Sequence, residues 1–406
     1  MLKRRGKLGR NAKWLLLTEP GWSLPMPSIF YYQSIYVVEL GFSEIEYGLL
    51  VSLLKGFSIL TPFAAVPLAS RVGFKRAFLL IDVLGNAGFL LPLISGKREL
   101  LPLAFAAGSL IAASSILWEV LLVTGTDEDA LVTAYSISSV IYIVGSMLPP
   151  LAGVVMERLG IVNGYRLAAL AALTSFLAKT AVLAFTLEEP RDGSSRRGAS
   201  RPSFARSIRE VLSDRGAGLL LLYFMLSSIL YSVFSYLSLY LHDERGARMR
   251  VEDVGLISTI SSAVSLLVVL TVAVRPLNPL AYLIASATAG SLAYALYSLS
   301  SLEPKLAFAA AALSGLRGAE FSVARALFIG LLGGGVFERG HAITLSYTLG
   351  SLVEVPAPAA VGLLYRLHPV AIWLLALTAT LTQIAALVLL RRASGRNLFP
   401  AARSSQ

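Results

Sequence analysis

Apolar residues occur in long uninterrupted runs along this chain, without the alternation expected of a half-buried β-strand. A helix needs about 20 apolar residues to cross about 30 Å of hydrocarbon, whereas a membrane β-barrel needs alternating segments of about ten residues. Short polar segments that contain Gly, Pro or charged residues separate the runs. The pattern predicts an all-α membrane protein with twelve transmembrane helices, spans one to twelve, at residues 14–39, 46–68, 77–95, 101–123, 131–155, 165–187, 217–241, 254–274, 279–300, 305–331, 342–364 and 370–390.

Composition agrees with this prediction and excludes several classes of protein. Only 15% of the 406 residues are charged and 56% are hydrophobic, whereas a soluble protein carries about a quarter charged residues. The chain has no Cys and three His, so disulfides, metal centres and cofactors are not expected. Its net charge of +11 comes from basic residues in short loops beside apolar runs, which favours a lipid bilayer, and not nucleic acid, as the partner.

The distribution of the 35 Lys and Arg residues predicts the orientation in the membrane. Most of them lie before span one, after span two, between spans six and seven, or after span twelve. Both termini and the long middle segment are therefore expected in the cytoplasm of a prokaryotic cell. The first run is too long for a signal peptide and lacks a cleavage site of small residues, so we interpret it as a retained helix.

The middle segment, residues 188–216, divides the chain into two predicted halves, residues 1–187 and 217–406. Rich in Ser, Gly and Arg, it reads as a cytoplasmic linker. Ser203 could cap a short helix with Phe204 and Ile208 on its apolar face, lying on the inner leaflet; a linker without regular structure is the alternative.

The two halves contain related sequences. Leu103-Ala104-Phe105-Ala106-Ala107 in span four recurs as Leu306-Ala307-Phe308-Ala309-Ala310 in span ten. The starts of spans two and eight, and the ends of spans five and eleven, match at nearly the same offset. Three matches at a consistent spacing predict two pseudo-symmetric six-helix bundles.

This organisation resembles the major facilitator superfamily of secondary transporters. The loop after span two, Val66 to Arg76, is similar to that family's signature G-x-L-A-D-R-x-G-R-[KR]-R, and Arg71, Gly73, Lys75 and Arg76 match it. The resemblance implies that these four residues take part in gating at the cytoplasmic side. Ser70 stands where the family has the Asp that helps latch this side closed, so the sequence departs from the family's latch at this position.

Span five contains Gly145-x-x-x-Pro149-Pro150-x-x-Gly153, which resembles the G-x-x-x-G-P-x-x-G-G element of the family's antiporter branches. Small residues and Pro allow close approach and bending of helices, as a rocking interface requires. The element gives a slight preference for export.

Charged residues inside hydrocarbon are unfavourable and usually face a cavity or a partner, so they are the candidate site residues. Arg317 and Glu320 lie three residues apart on span ten and could pair with each other. The resemblance places Glu119 of span four and these two residues along the central pathway. Glu119 and Glu320 are candidate proton carriers, and Arg317 is a candidate substrate anchor; an internal ion pair that fixes helix packing is the alternative.

Further candidates are Glu19 for proton coupling, and Lys55, Arg325 and Glu354 for substrate binding. Glu19 precedes Pro20, and Pro25 and Pro27 follow, so span one is expected to bend or break near it. Asp82 and Lys179 belong to spans that the resemblance makes peripheral, and we interpret them as interfacial. Tyr223, Tyr231 and Tyr236 of span seven are expected either to line a cavity or to have a lipid-facing or packing role.

Enzyme signatures are missing from the sequence. No phosphate-binding G-x-x-x-x-G-K-[ST], HExxH or G-x-S-x-G motif occurs, so the chain is not expected to be an enzyme. The hypothesis is a monomeric, proton-coupled transporter of a small molecule, working by alternating access and exporting an amphipathic compound. Uptake of a small organic anion is the close alternative; a receptor, a membrane-embedded enzyme or a permease subunit with a separate ATPase are the others.

Overall fold

The computed structural model describes residues 7–189, 214–275, 278–331 and 350–393. Ten helices of this part of the chain are long and apolar enough to cross a membrane. Span one is broken into shorter helices, and span eleven is described only from residue 350. The predicted linker helix after Ser203 lies outside the described residues.

The helices follow the predicted runs within a few residues. In the first half they are Arg10–Thr18, Pro20–Ser23 and Met26–Glu39 (span one), Glu44–Val72 (span two), Phe74–Ser95 (span three), Arg98–Leu100, Leu101–Gly108 and Leu110–Val123 (span four), Glu128–Gly145 and Pro149–Leu159 (span five), and Ile161–Thr186 (span six). In the second half they are Arg215–Phe234 and Leu237–His242 (span seven), Val251–Val274 (span eight), Pro279–Leu299 (span nine), Leu306–Gly315 and Glu320–Leu331 (span ten), residues 350–354 and Ala357–Leu367 (span eleven), and Ala371–Ala393 (span twelve).

Local sequence explains where these helices begin and end. Ser43 caps span two, because its hydroxyl accepts a hydrogen bond from the Glu46 amide while the Glu46 carboxylate accepts one from the Ser43 amide. Gly73, with φ of 96°, lies in the sharp turn between spans two and three, a backbone conformation that favours glycine. The turn that contains Gly41 marks the opposite end of the bundle. The two ends are named the Gly41 end and the Gly73 end below.

Outward-facing leucines on spans three, six, nine and twelve give the bundle an apolar surface. Leu84, Leu170, Leu292 and Leu381 are 52%, 47%, 56% and 52% exposed. An apolar surface of this kind suits lipid, since hydrocarbon replaces water as the surrounding solvent.

The two halves close against each other at the Gly41 end, in two contacts related by the internal repeat. In one contact, the Tyr32 hydroxyl donates to the carbonyl of Val251, the first residue of span eight, at 3.1 Å. In the other, the Tyr236 hydroxyl donates to the carbonyl of Glu44, the first residue of span two, at 2.8 Å. The corresponding tyrosines and acceptors lie at nearly the same offset along the chain, so the repeat extends to the inter-half contacts.

Each contact depends on a pair of glycines that lets two helix backbones touch. A Cβ on Gly153 or Gly255 would lie 2.6 Å from the Tyr32 hydroxyl oxygen, and one on Gly48 or Gly362 would lie 2.5 Å from that of Tyr236. These distances are shorter than any ordinary contact, so spans five and eight, and spans two and eleven, pack as closely as backbone permits.

Candidate functional site

A cavity of about 570 Å³ lies in the second half, on the Gly73 side of the closed contact. Spans seven to eleven supply its walls, which combine aromatic rings, hydroxyl groups and charged side chains. Its polar and aromatic lining residues are Tyr223, Phe224, Ser227, Ser228, Tyr231, Phe234, Ser261, Tyr294, Ser314, Arg317, Glu320, Phe321, Arg325, Ser351 and Glu354.

Arg317 and Glu320 form a shielded ion pair in the wall of this cavity. The Arg317 Nη2 lies 2.6 Å from Glu320 Oε1, and its Nε donates to Glu320 Oε2. Only 12% and 9% of the two side chains are exposed. The i,i+3 spacing predicted this pair.

Two tyrosines complete the hydrogen bonding of the pair. The Arg317 Nη1 donates to the Tyr294 hydroxyl at 2.5 Å, and the Tyr223 hydroxyl donates to Glu320 Oε1. The Gln383 amide donates to Ser227 at 2.9 Å and presents its oxygen to Arg317 at 3.4 Å. A pair so fully bonded satisfies both charges, and it connects spans seven, nine, ten and twelve.

The sequence predicted span ten as one continuous helix, which is wrong. The helix breaks between Gly315 and Glu320. Arg317 therefore lies in a turn, and Glu320 in the first turn of the following helix, where a carboxylate interacts favourably with the helix dipole. The Tyr282 hydroxyl accepts from the Ala319 amide at 3.2 Å and donates to the Leu316 carbonyl at 3.1 Å. This side chain replaces helix hydrogen bonds that the break removes.

Lys55 and Glu354, two separate candidates from the sequence, form an ion pair between the halves. Lys55 Nζ lies 3.2 Å from Glu354 Oε2 and 4.8 Å from the centroid of the Tyr231 ring. Glu354 and Tyr231 also line the cavity. The pair stands where the close packing of spans two and eleven gives way to the cavity.

The other candidates from span seven and span ten have different positions. Of the two roles that the sequence left open, Tyr223 and Tyr231 take the first and line the cavity, whereas Tyr236 takes the second and is fully buried in the inter-half contact. Arg325 lines the cavity on the Gly73 side of Glu320 and is within electrostatic range of Tyr135 in the first half.

A second, smaller pocket of about 220 Å³ lies in the first half. It brings together the predicted candidates Glu19 and Glu119 with Asp82 and Lys179. The interfacial interpretation of Asp82 and Lys179 was wrong, because both are buried, with 4% and 7% of their surfaces exposed. The sequence held one signal for this: Asn86, one helical turn after Asp82, gives span three a polar stripe.

The loop of Gly73 is tied to the end of span six within its own half. The Lys75 ammonium donates to the carbonyl of Leu187 at 2.8 Å, and its amide donates to the Glu189 carboxylate at 3.2 Å. Arg71 and Arg76 are exposed. The Ser70 hydroxyl donates to the Pro67 carbonyl at 2.7 Å, a local hydrogen bond within span two.

These features, two six-helix halves closed at one end around a partly polar cavity, agree with a comparison to known families. The model of the Major Facilitator Superfamily matches residues 21–358, most of the chain. The chain belongs to this superfamily. It is therefore a membrane transporter, and the resemblance inferred from the Gly73 loop and the internal repeat is confirmed.

Solved structures of transporters share the fold of this superfamily member. The nucleoside transporter NupG aligns with a TM-score of 0.72 and 14% identity over 94% of this chain and 99% of that one. A POT family transporter in complex with 5-aminolevulinic acid gives 0.67 and 11% over 96% of both chains. A bacterial homologue of the human lysosomal transporter Spinster, inward-facing and unoccupied, gives 0.63 and 16% over 94% and 95%. No curated protein matches the sequence.

Proposed function

We propose that this protein is a proton-coupled secondary transporter that exports a small amphipathic organic compound from a prokaryotic cell. The cavity of about 570 Å³ carries this proposal. Its volume falls within the range of about 300–1,000 Å³ that accommodates small organic ligands. Aromatic rings alternate in its wall with serine hydroxyls, which suits a compound with both apolar and hydrogen-bonding groups.

The ion pairs in and near the cavity favour an amphipathic solute over a small organic anion. An anion would need a cation whose charge is not already balanced, yet Arg317 pairs with Glu320 and Lys55 pairs with Glu354, and Arg325 is not without a partner. Aromatic side chains such as Phe224, Phe234 and Phe321 remain for contact with an apolar group.

The closed Gly41 end supports alternating access as the mechanism. With the Gly73 end in the cytoplasm, as the distribution of Lys and Arg predicts, the structure is closed toward the outside. Rocking of the halves would break the contacts of Tyr32 and Tyr236 and expose the cavity to the other side. Membrane-embedded carboxylates supply the proton coupling, because protonation removes the charge that opposes movement through apolar surroundings.

Orientation is tested first, with single cysteines in this cysteine-free chain. Arg71→Cys, in the last turn of span two, and Arg248→Cys, in a loop, place thiols at exposed positions of the Gly73 end and the Gly41 end. In intact cells, an impermeant maleimide should label only residue 248. Labelling of residue 71 alone would reverse the orientation, and with it the assignment of export.

Transport is tested with ligands identified by thermal stabilisation of the purified protein across a library of organic compounds. Reconstituted protein should move the stabilising compounds against their gradient when a proton gradient is imposed, and Tyr231→Ala should weaken binding. Gly218→Ala, at a position where an added methyl group meets open space, is the matched control. The proposal is contradicted if the flux is the same with and without a proton gradient. It is also contradicted if small anions are the only compounds of the library that bind.

A further inference from the structure

Three charged side chains are buried together in the first half, away from the cavity of the second half. Glu19 of span one, Asp82 of span three and Lys179 of span six are 7%, 4% and 7% exposed. All three line the pocket of about 220 Å³. Asp82 lies eight residues from the start of its helix at Phe74, about 12 Å from the Gly73 end at a helical rise of about 1.5 Å per residue.

Asp82 has one oxygen that is fully bonded and one that is not. Its Oδ1 accepts from the Ser114 hydroxyl at 2.6 Å and from the Asn86 amide at 3.0 Å. Its Oδ2 is buried with no hydrogen-bond partner among the described residues, and so is the indole Nε1 of Trp118, which lines the same pocket. A buried carboxylate oxygen without a donor is unfavourable, whereas the same oxygen carrying a proton is neutral.

The charges of the group do not balance when both acids are ionised. Glu19 and Asp82 would carry two negative charges against the one positive charge of Lys179. The Lys179 ammonium has no carboxylate within 4.0 Å and no side-chain hydrogen bond in the part of the chain that the structure describes. Its contact is with the Phe176 ring, at 6.0 Å from the centroid, so no close ion pair offsets the cost of burial. One proton makes the group neutral.

A metal ion is a poorer fit to the excess charge. The Lys179 ammonium would repel it, and the described residues contain no group of three metal-binding His, Cys, Asp or Glu side chains. The pocket, at about 220 Å³, has room for several waters that could carry a proton, since one water occupies about 30 Å³.

We propose that Glu19, Asp82 and Lys179 form the proton-binding site of this transporter, in which the two carboxyl groups share one proton. Glu119 of span four is the exposed carboxylate of the pocket and passes protons between the site and water. Span five adds the uncharged hydroxyl of Ser138. The inference rests on the proposed proton coupling and assigns it to this pocket, leaving the Arg317–Glu320 pair a structural role.

Charge explains how the site would couple to movement. Ionised, the group has a net charge of −1, which favours a hydrated pocket; protonated, it is neutral and tolerates closure of the surrounding helices. Span one contributes Glu19 at one of its breaks and Tyr32 to the closed contact at its other end, so a change at the site reaches the inter-half contact through one span.

Proton binding is tested directly by infrared difference spectroscopy of the full-length protein in lipid nanodiscs, with pH as the only variable. The wild-type protein should show a protonated-carboxyl band that grows as pH falls. Asp82→Asn and Glu19→Gln should each abolish that band, while Glu320→Gln and Glu303→Gln should retain it. Lys179→Gln should move the midpoint of the band's titration upward, because it removes a positive charge that favours the ionised carboxylates.

The infrared spectra are recorded without a transported compound, so they test the proton-binding site separately from the proposed transport. Loss of the band only in Glu320→Gln, retention of it in both Asp82→Asn and Glu19→Gln, or a downward shift in Lys179→Gln overturns the site. A sodium-dependent, pH-independent thermal stabilisation of the wild type would also overturn it, in favour of a metal cation.

Flux of the identified compound then provides the second readout. Asp82→Asn should still exchange compound across the membrane without accumulating it, whereas accumulation at the wild-type level would show that coupling lies elsewhere.

Discussion

Replacing Gly48 by Ala should open the Gly41 end of the transporter. A Cβ at this position would overlap the Pro358 carbonyl oxygen and would lie 2.5 Å from the Tyr236 hydroxyl and 2.9 Å from the Cα of Ala359. Two of the three atoms belong to the backbone of span eleven and cannot rotate away. The methyl group must therefore push spans two and eleven apart.

The size of the effect follows from these contacts. Forcing one methyl group into a filled site costs about 1–3 kcal/mol, and losing a Tyr236 hydrogen bond costs about 0.5–1.5 kcal/mol. Because strain is removed when the halves separate, the substitution destabilises the closed state alone. A change of about 2 kcal/mol lowers the ratio of closed to open molecules about 30-fold.

A thiol buried in the contact measures this ratio. Ser238 is buried, and its hydroxyl lies 2.9 Å from that of Ser34 across the interface of the halves. In purified Ser238→Cys protein, a bulky maleimide should react about 30-fold faster when Gly48→Ala is added, as long as the closed state predominates. Gly255→Ala, its counterpart in the repeat, should act in the same direction.

Gly218→Ala is the control, since the same change there meets no atom within 4 Å. Equal labelling rates for Gly48→Ala, Gly218→Ala and the parent would refute the reasoning. The closed contact would then not depend on the close approach of spans two and eleven.

Three further predictions concern charged pairs and the Gly73 turn. Lys55→Glu and Glu354→Lys should each lower thermal stability, by about 1 kcal/mol for a half-buried pair, and the double exchange should restore most of it. Glu320→Gln should destabilise the protein by about 3 kcal/mol, because Arg317 keeps its charge, and adding Arg317→Gln should recover part of that loss in a melting curve. Gly73→Ala should lower the melting temperature through a cost of about 1–2 kcal/mol at positive φ; an unchanged value would contradict the turn.

Arg245, in the loop after span seven at the Gly41 end, pairs with two carboxylates. A hydrogen bond with Asp243, and a weaker contribution from Glu44, raise the pKa of the Arg245 guanidinium. The guanidinium therefore stays charged at neutral pH and well above it. The 2.5 Å contact between Arg245 and Glu44 adds an ion pair to the closed end, but one exposed to water and so of small effect.

Sequence reasoning succeeded where the signal is local. Apolar runs and the positions of Gly and Pro predicted the helices. A helix in lipid satisfies its backbone hydrogen bonds within its own segment, so its formation does not depend on where its neighbours lie. The Arg317–Glu320 pair was predicted for the same reason, since residues three apart in the chain stay close both in a helix and in the turn that the structure has here. The internal repeat and the Gly73 loop then predicted the family, which the comparisons confirm.

The partners of a side chain could not be predicted where they depend on the direction in which its helix faces. Lys55 and Glu354 are almost three hundred residues apart, and only the packing of spans two and eleven brings them together. Asp82 and Lys179 were assigned to the interface because their spans are peripheral, but each side chain points inward. The helical rotation that decides this is set by contacts with other spans, such as the close fit of Gly21 against Lys179, and not by the sequence of either helix.

The Tyr282 hydroxyl has a consequence for how the second half can deform. It bonds to both sides of the break in span ten, so the pieces Leu306–Gly315 and Glu320–Leu331 are held together there by a side chain as well as by short-range backbone hydrogen bonds, such as the one from the Glu320 amide to the Arg317 carbonyl. Such a joint lets the two pieces tilt separately, because one hydroxyl can follow a small rotation that a rigid helix would transmit in full. The segment that carries Glu320 and Arg325 is thereby free to adjust to a bound solute while the Gly41 end of the same span stays in place.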